Sequence, residues 1–393
     1  MSVRPGGRSK SNYPLTWVSV GLILIFALAP PLCAQTITEI IDPTGDGGGN
    51  SLDEAYGIAV DGSGNVFVTG TLSHNAFKIT PGGLITEIID STGDGAGNPL
   101  DRTSGIAVDG SGIVYVMGNG SDNVFKITPG GVITEIIDAL GDGAGNPLYW
   151  PVGIAVDRSG NVYVTGGFSN NAFKITPGGA ITEIIDSTGD GEGNPLDRTY
   201  GIAVDGSGNV FVTGTLSDNA FKITPGGVIT EIIDALGDGA GNPLYFPYGI
   251  AVDGSGNVYV TGGYSNNTFK ITPGGVIIEI IDVLGDGAGN PLYFPHGIAV
   301  DGSCNVYLAG IDSDNAFKIT PSGVITEIID ALGDGAGNPL DVSSGIAVDG
   351  SGNVYVTGET SDNAFKIRQF PGFFLFADGF ECGDCTAWSS KVP

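Results

Sequence analysis

The pentapeptide Gly-Ile-Ala-Val-Asp starts at Gly57, Gly105, Gly153, Gly201, Gly249, Gly297 and Gly345, each 48 residues after the last. A fixed period of this size restricts a chain to a solenoid, a propeller or an array, in which each unit hides its apolar faces against its neighbours. It also sorts the residues. What the seven copies share builds the scaffold, and what differs between them is where function is to be sought.

Each unit reads as four short strands. In the second copy, 105–108 is an apolar run, 109–112 an Asp-Gly-Ser-Gly turn, and 114–117 a second strand. A third strand covers 123–128, a Pro-Gly-Gly turn 129–131, and a fourth strand 132–138. Such β-branched and aromatic runs, separated by tight turns, form an antiparallel meander. The first three strands are apolar on both alternating faces, as in a sheet packed between two others. Thr134, Glu135 and Asp138 interrupt the fourth, which suits a wetter outer edge.

The ends of the chain favour a closed ring. A fourth-type strand at 37–42 precedes any first strand, and the last unit stops after its third, at 364–367. An open solenoid would want capping repeats instead. The expected fold class is therefore all-β: a seven-bladed β-propeller of four-stranded antiparallel blades, closed by the N-terminal strand completing the last blade. The recurring Gly-Ile-Ala-Val-Asp, the Gly-Asn-Val-Phe-Val-Thr-Gly of 208–214 and the Asn-Ala-Phe-Lys-Ile-Thr of 219–224 resemble NHL-type repeats. The sequence is also similar to streptogramin-lyase-like propellers. The likeness covers 36–368 and implies the fold; propellers host many unrelated activities.

Residues 1–34 read as a secretory signal peptide. Arg4, Arg8 and Lys10 form its basic region, Trp17 to Ala29 its apolar stretch, and Ala34 the cleavage point. The propeller is assigned to 35–368 and a C-terminal tail to 369–393. Cleavage leaves 12 Lys and Arg against 43 Asp and Glu, a net charge of −31. That balance excludes a nucleic-acid partner, which needs a basic face. It favours cations or cationic partners. The expected location is the cell surface, periplasm or medium, with no membrane span after cleavage and a monomeric state. Cys382 and Cys385 are close enough to pair after export. Cys304 would then be unpaired, in a turn position held by glycine in the other copies.

The Asp-Gly-Ser-Gly and Thr-Pro-Gly-Gly turns barely vary, whereas the connections at the opposite end of each blade do. Variable loops on a rigid scaffold are where binding usually sits. Repeats three, five and six place aromatic groups there: Tyr149, Trp150 and Phe168; Tyr245, Phe246 and Tyr264; and Tyr293 and Phe294, beside His296. Aromatic rings with polar neighbours suit sugar faces or peptide segments. They also suit simple packing of each loop on itself. The candidate partners are a glycan, a peptide or a surface protein.

Each long loop carries Asp-x-x-x-Asp-x-x-x-Asn, as in Asp90, Asp94 and Asn98 or Asp234, Asp238 and Asn242. Seven such loops invite a Ca²⁺ reading, although the spacing is not that of an EF-hand. The other reading is Asx-turns. No cofactor is required by the sequence. Streptogramin-lyase-like enzymes use histidine-rich acid/base sites, and this chain offers only His74 and His296 after the leader, in repeats two steps apart. The first expectation is thus a binding or scaffold protein that does no chemistry. The alternative is a lactonase-like metal-dependent hydrolase or lyase with a carboxylate site in the central channel.

Overall fold

The computed structural model describes residues 1–2 and 35–368. The leader expected at 1–34 and the cysteine pair Cys382 and Cys385 fall outside the described residues. Seven four-stranded antiparallel sheets are formed, six of them from four consecutive strands and the seventh from three consecutive strands and the N-terminal one. In the first blade the strands are Ala55–Val60, Val66–Gly70, Asn75–Ile79 and Ile85–Ile89. Every residue of Val66–Gly70 is buried, whereas the innermost strand Ala55–Val60 and the outermost strand Ile85–Ile89 are both mostly part-exposed.

Thr36–Ile41 completes the seventh blade by pairing with Asn363–Arg368, with Ile37 opposite Ile367 and Glu39 opposite Phe365. The first strands also pack side by side around the whole ring, that of blade seven returning against that of blade one. Circular closure is therefore present in both the outermost and the innermost strands.

The apolar cores lie between blades. Phe67 and Ala76 of blade one pack with Ile106, Val116 and Phe125 of blade two. At the seam, Ile41, Tyr355 and Ala364 pack with Val68 and Phe77. A single unit would leave these faces in water, and truncating one such phenylalanine to alanine removes about 3–5 kcal/mol.

The invariant turns are built by side chains on their own backbone. Asp61 Oδ1 accepts from the Ser63 and Asn65 amides at 2.8 and 2.9 Å, and Asn65 Nδ2 donates to Asp61 Oδ2 at 2.7 Å. Cys304 occupies the corresponding left-handed position at φ 61°. It costs about 1 kcal/mol there relative to glycine. Cys304 is disulfide-bonded, which corrects the expectation that it stands unpaired.

Candidate functional site

A bulge near the start of each first strand decides which side chains face the axis. In blade one, Ala55 pairs with Gly70 and Ile58 with Val68, so Tyr56 and Gly57 together oppose Thr69 alone. A bulge of this kind re-aims side chains at the end of a strand. Thr69 holds it: its Oγ1 accepts from the Gly57 amide at 2.8 Å and donates to the Ser104 carbonyl of the next blade at 2.8 Å. A Cβ on Gly57 would lie 2.4 Å from that same carbonyl oxygen, so only glycine fits. The residue before the glycine is thereby placed at the channel mouth. Around the ring this position reads Tyr56, Ser104, Val152, Tyr200, Tyr248, His296 and Ser344.

The two variable connections of each blade pair with each other. The Thr71 amide donates to Glu54 O and the Leu72 amide to Asp53 O, at 2.9 and 3.2 Å. Blades are then latched to one another. Trp150, Phe246 and Phe294 donate their backbone N–H to Asp122, Asp218 and Asn266 of the preceding blade at 2.7–2.8 Å. The same bond joins Arg198 to Asn170, Val342 to Asp314, Arg102 to the His74 ring, and Glu54 back to Asp362. All seven donors are non-glycine residues with φ of 50–57°. This left-handed conformation is uncommon outside glycine, asparagine and aspartate, and the latch holds it in place.

The result is a cavity of about 450 Å³ at the mouth, of a size usual for small-molecule sites. One wall, from blades three to five, carries Trp150, Tyr200, Phe246 and Tyr248. The other, from blades seven, one and two, carries Glu359, Tyr56, Thr71, Ser104 and Asn119. Arg198 lies on the aromatic side, its guanidinium 4.6 Å from the Phe168 ring centre. Below the cavity the channel is walled by the seven isoleucines of the repeated pentapeptide and their preceding glycines. None of the described residues lining this stretch of the channel is a carboxylate.

His296 forms the floor between Tyr56, Tyr200 and Tyr248, with ring centres 5.8, 5.2 and 5.1 Å away. Its Nδ1 lies 3.2 Å from the Ser344 carbonyl and therefore carries the proton. Nε2 accepts from the Tyr200 hydroxyl at 3.0 Å and lies 3.3 Å from the Tyr56 hydroxyl. The two tyrosine hydroxyls also bond to each other. These three side chains come from blades four, six and one, so the mouth is narrow enough for distant repeats to meet. Burial pushes the His296 pKa down to about 4 and the ring is neutral. His74 is elsewhere, its Nδ1 taken by the Arg102 amide at 2.9 Å with Asp101 3.1 Å away. Burial, with the Glu54 charge nearby, pushes Glu359 up to about 7.

Of the aromatic candidates, Trp150 and Phe246 line the cavity. Phe168 and Tyr264 stack on them from outside, at 4.7 and 4.1 Å. Phe294 backs Tyr248 at 5.2 Å. Tyr149, Tyr245 and Tyr293 are exposed on the rim and are not part of the cavity wall. Sequence reasoning missed the contributions of Thr71, Asn119, Arg198 and Glu359. The signal was present: the position after the second strand reads Thr71, Asn119, Gly167, Thr215, Gly263, Ile311 and Glu359, as varied as any in the repeat.

The acidic loops are closed on themselves. Asp90 Oδ1 accepts from the Thr92 amide and Asp94 Oδ1 from the Ala96 amide, both at 2.8 Å, and Asn98 Nδ2 donates to Asp94 Oδ2 at 2.8 Å. Asp234, Asp238 and Asn242 repeat the arrangement with Leu236 and Ala240. These are Asx-turns. Bonds from the Ala96 amide and the Asn98 side chain hold the Asp94 carboxyl below its ordinary range.

Comparison with known proteins agrees with this architecture. The repeat family described as SBBP, β-propeller repeat, matches residues 45–75, 140–166, 191–215, 236–270 and 332–366. No curated protein matches the sequence. Among solved structures, virginiamycin B lyase from Staphylococcus aureus superposes with a TM-score of 0.67 at 20% identity, covering 86% of this chain and 100% of the lyase. A streptogramin B lyase superposes with a TM-score of 0.67 at 18% identity, over 85% and 97%. Hydrazine synthase from Kuenenia stuttgartiensis gives 0.59 at 16%, over 81% and 96%. At these identities the likeness is one of fold, and the chain is a repeat-built seven-bladed β-propeller of streptogramin-lyase-like architecture.

Proposed function

We propose that this chain is an exported binding protein that takes part of a glycan, a peptide or a surface partner into the cavity at the mouth of the ring. One observation carries the reading. The copies are nearly identical in strands and invariant turns, yet the two ring positions that frame the mouth differ from blade to blade. They assemble an aromatic wall opposite a polar one. Aromatic faces with a few convergent polar groups are the usual makeup of a small-ligand site. Export is read from the leader-like N-terminus, and the strong negative charge suits a soluble exported protein that avoids nucleic acid.

Binding is preferred over catalysis because of His296. Both of its ring nitrogens are already engaged, by Ser344 and by the tyrosine hydroxyls, so neither is free to move a proton on a ligand. The test is a glycan and peptide array probed with the wild-type protein and with Trp150→Ala and Tyr248→Ala. Hits that vanish in both variants support the mouth as the site. Hits retained at full strength by both would overturn it.

A further inference from the structure

The mouth cavity is polarised in a way the binding reading does not require. Glu359, Thr71 and Asn119 occupy one register position on three consecutive blades: seven, one and two. Among the described residues no cation pairs with Glu359. Thr71 Oγ1 and Asn119 Oδ1 are buried without a hydrogen-bond partner. Buried polar atoms of this kind are costly and call for a partner. Arg198, the one cation on the wall, is drawn to the far side by the Phe168 ring. The aromatic faces of Trp150, Phe246 and Tyr248 complete the opposite wall.

Building on the mouth-binding reading, we propose that the group held in this cavity is a primary ammonium. It donates to the Glu359 carboxylate, with Thr71 and Asn119 as flanking acceptors, while its apolar body lies against Trp150, Phe246 and Tyr248. An ammonium supplies three donors and no acceptor, which matches one carboxylate and two unpartnered oxygens. Reaching the latter two needs a side-chain rotation, since both atoms are shut off from water in this structure. Aromatic faces favour a desolvated cation, and the strongly negative chain concentrates cations around it. A neutral sugar would cover the half-buried Glu359 without supplying a counter-charge.

The groups facing Glu359 are Glu54, Tyr56 and Tyr200, with Arg198 across the cavity and His296 on the floor. The tyrosines are pushed up and His296 stays neutral well into acid, so Glu359 alone titrates near neutrality. Amine affinity should therefore fall by about tenfold per pH unit below about 7.

The test uses two matched pairs of probes on the full chain: benzylamine with benzyl alcohol, and glucosamine with glucose, followed by ligand-observed NMR and calorimetry. The expected result is that each amine binds at least about tenfold more tightly than its neutral partner, and that Glu359→Gln removes the difference by weakening the amines far more than their neutral partners. A preserved melting temperature in Glu359→Gln shows that the variant folds, and Asn119→Leu gives a second, uncharged test with a smaller loss. Equal binding of amine and alcohol, an amine preference that survives Glu359→Gln, or no binding by either amine would overturn the proposal. None of these outcomes touches the array result, which judges the mouth as a site separately.

Discussion

The Asp362 carboxylate accepts a 2.7 Å hydrogen bond from the backbone N–H of Glu54, joining residues 308 apart in the chain. Six other copies of this bond join neighbours in sequence, and this one shuts the ring. Replacing the acceptor leaves the amide unpaired and a left-handed residue without its usual side chain, together worth about 1–2 kcal/mol. Asp362→Ala and Asp218→Ala should therefore destabilise the protein by similar amounts in denaturant melts. A silent Asp362→Ala beside a destabilising Asp218→Ala would mean that the ring is open at the seam in solution.

Glu359 and His296 pull stability in opposite directions with pH. Glu359 rises from its ordinary 4.5 to about 7 on folding, so the folded state keeps a proton that the unfolded state releases. Its contribution is present below pH 4.5 and lost as pH rises through 7. His296 falls from 6.5 to about 4, so its contribution is full above pH 6.5 and lost as pH drops to 4. From the size of the shifts, the His296 effect is about 3 kcal/mol; the Glu359 effect, discounted for partial solvent contact, is about 2 kcal/mol. Glu359→Gln should match wild type near pH 4.5 and exceed it above pH 7. His296→Gln should lose less stability than wild type between pH 6.5 and 4. Parallel pH–stability curves for all three proteins would contradict the burial of these groups.

The acidic loops can be tested through their glycines. Gly93 has φ +64° and a Cβ there would sit 1.9 Å from Asn98 O, whereas Gly95, at φ +70°, has open space around it. Gly95→Ala should cost about 1 kcal/mol from backbone conformation alone. Gly93→Ala should cost several times that, because the turn must break. If the carboxylates serve the turn rather than a cation, a chelator leaves the melting temperature where it was. A fall of several degrees would favour the calcium reading.

Thr165 offers a local test of the bulge. Its Oγ1 accepts from the Gly153 amide at 2.9 Å and donates to Tyr200 O at 2.9 Å. Thr165→Val keeps the shape and removes both bonds, leaving the Gly153 amide unsatisfied at a cost of about 1–3 kcal/mol. It should also loosen Tyr200 and weaken array binding without unfolding the ring. Unchanged stability and binding would show that the bulge stands without this hydroxyl.

The architecture was legible because a period and two split ends are properties of sequence. The strand at 37–42 had a place to go only in the last blade. The rim was legible too, since Trp150 and Phe246 stand in a tract that varies. The depth of the site was not. Whether Tyr56 ends a loop or starts a strand depends on the bulge at Gly57, which one extra residue creates and no composition marks. Arg198 and Phe246 carry no preference for left-handed backbone; the Asn170 and Asp218 latches impose it. Glu359 was passed over because it adjoins an invariant glycine and reads as scaffold. Blade separation kept His74 and His296 apart as expected, but it gave no sign that the axis brings Tyr56, Tyr200 and His296 of blades one, four and six together.

The most direct test of the mouth as the functional site is a crystal structure of the protein with a ligand selected from the array. The account predicts that the ligand lies between Trp150 and Tyr248 on one side and Glu359 on the other. A ligand seated instead along the Asp-Gly-Ser-Gly turns of the opposite face would contradict it.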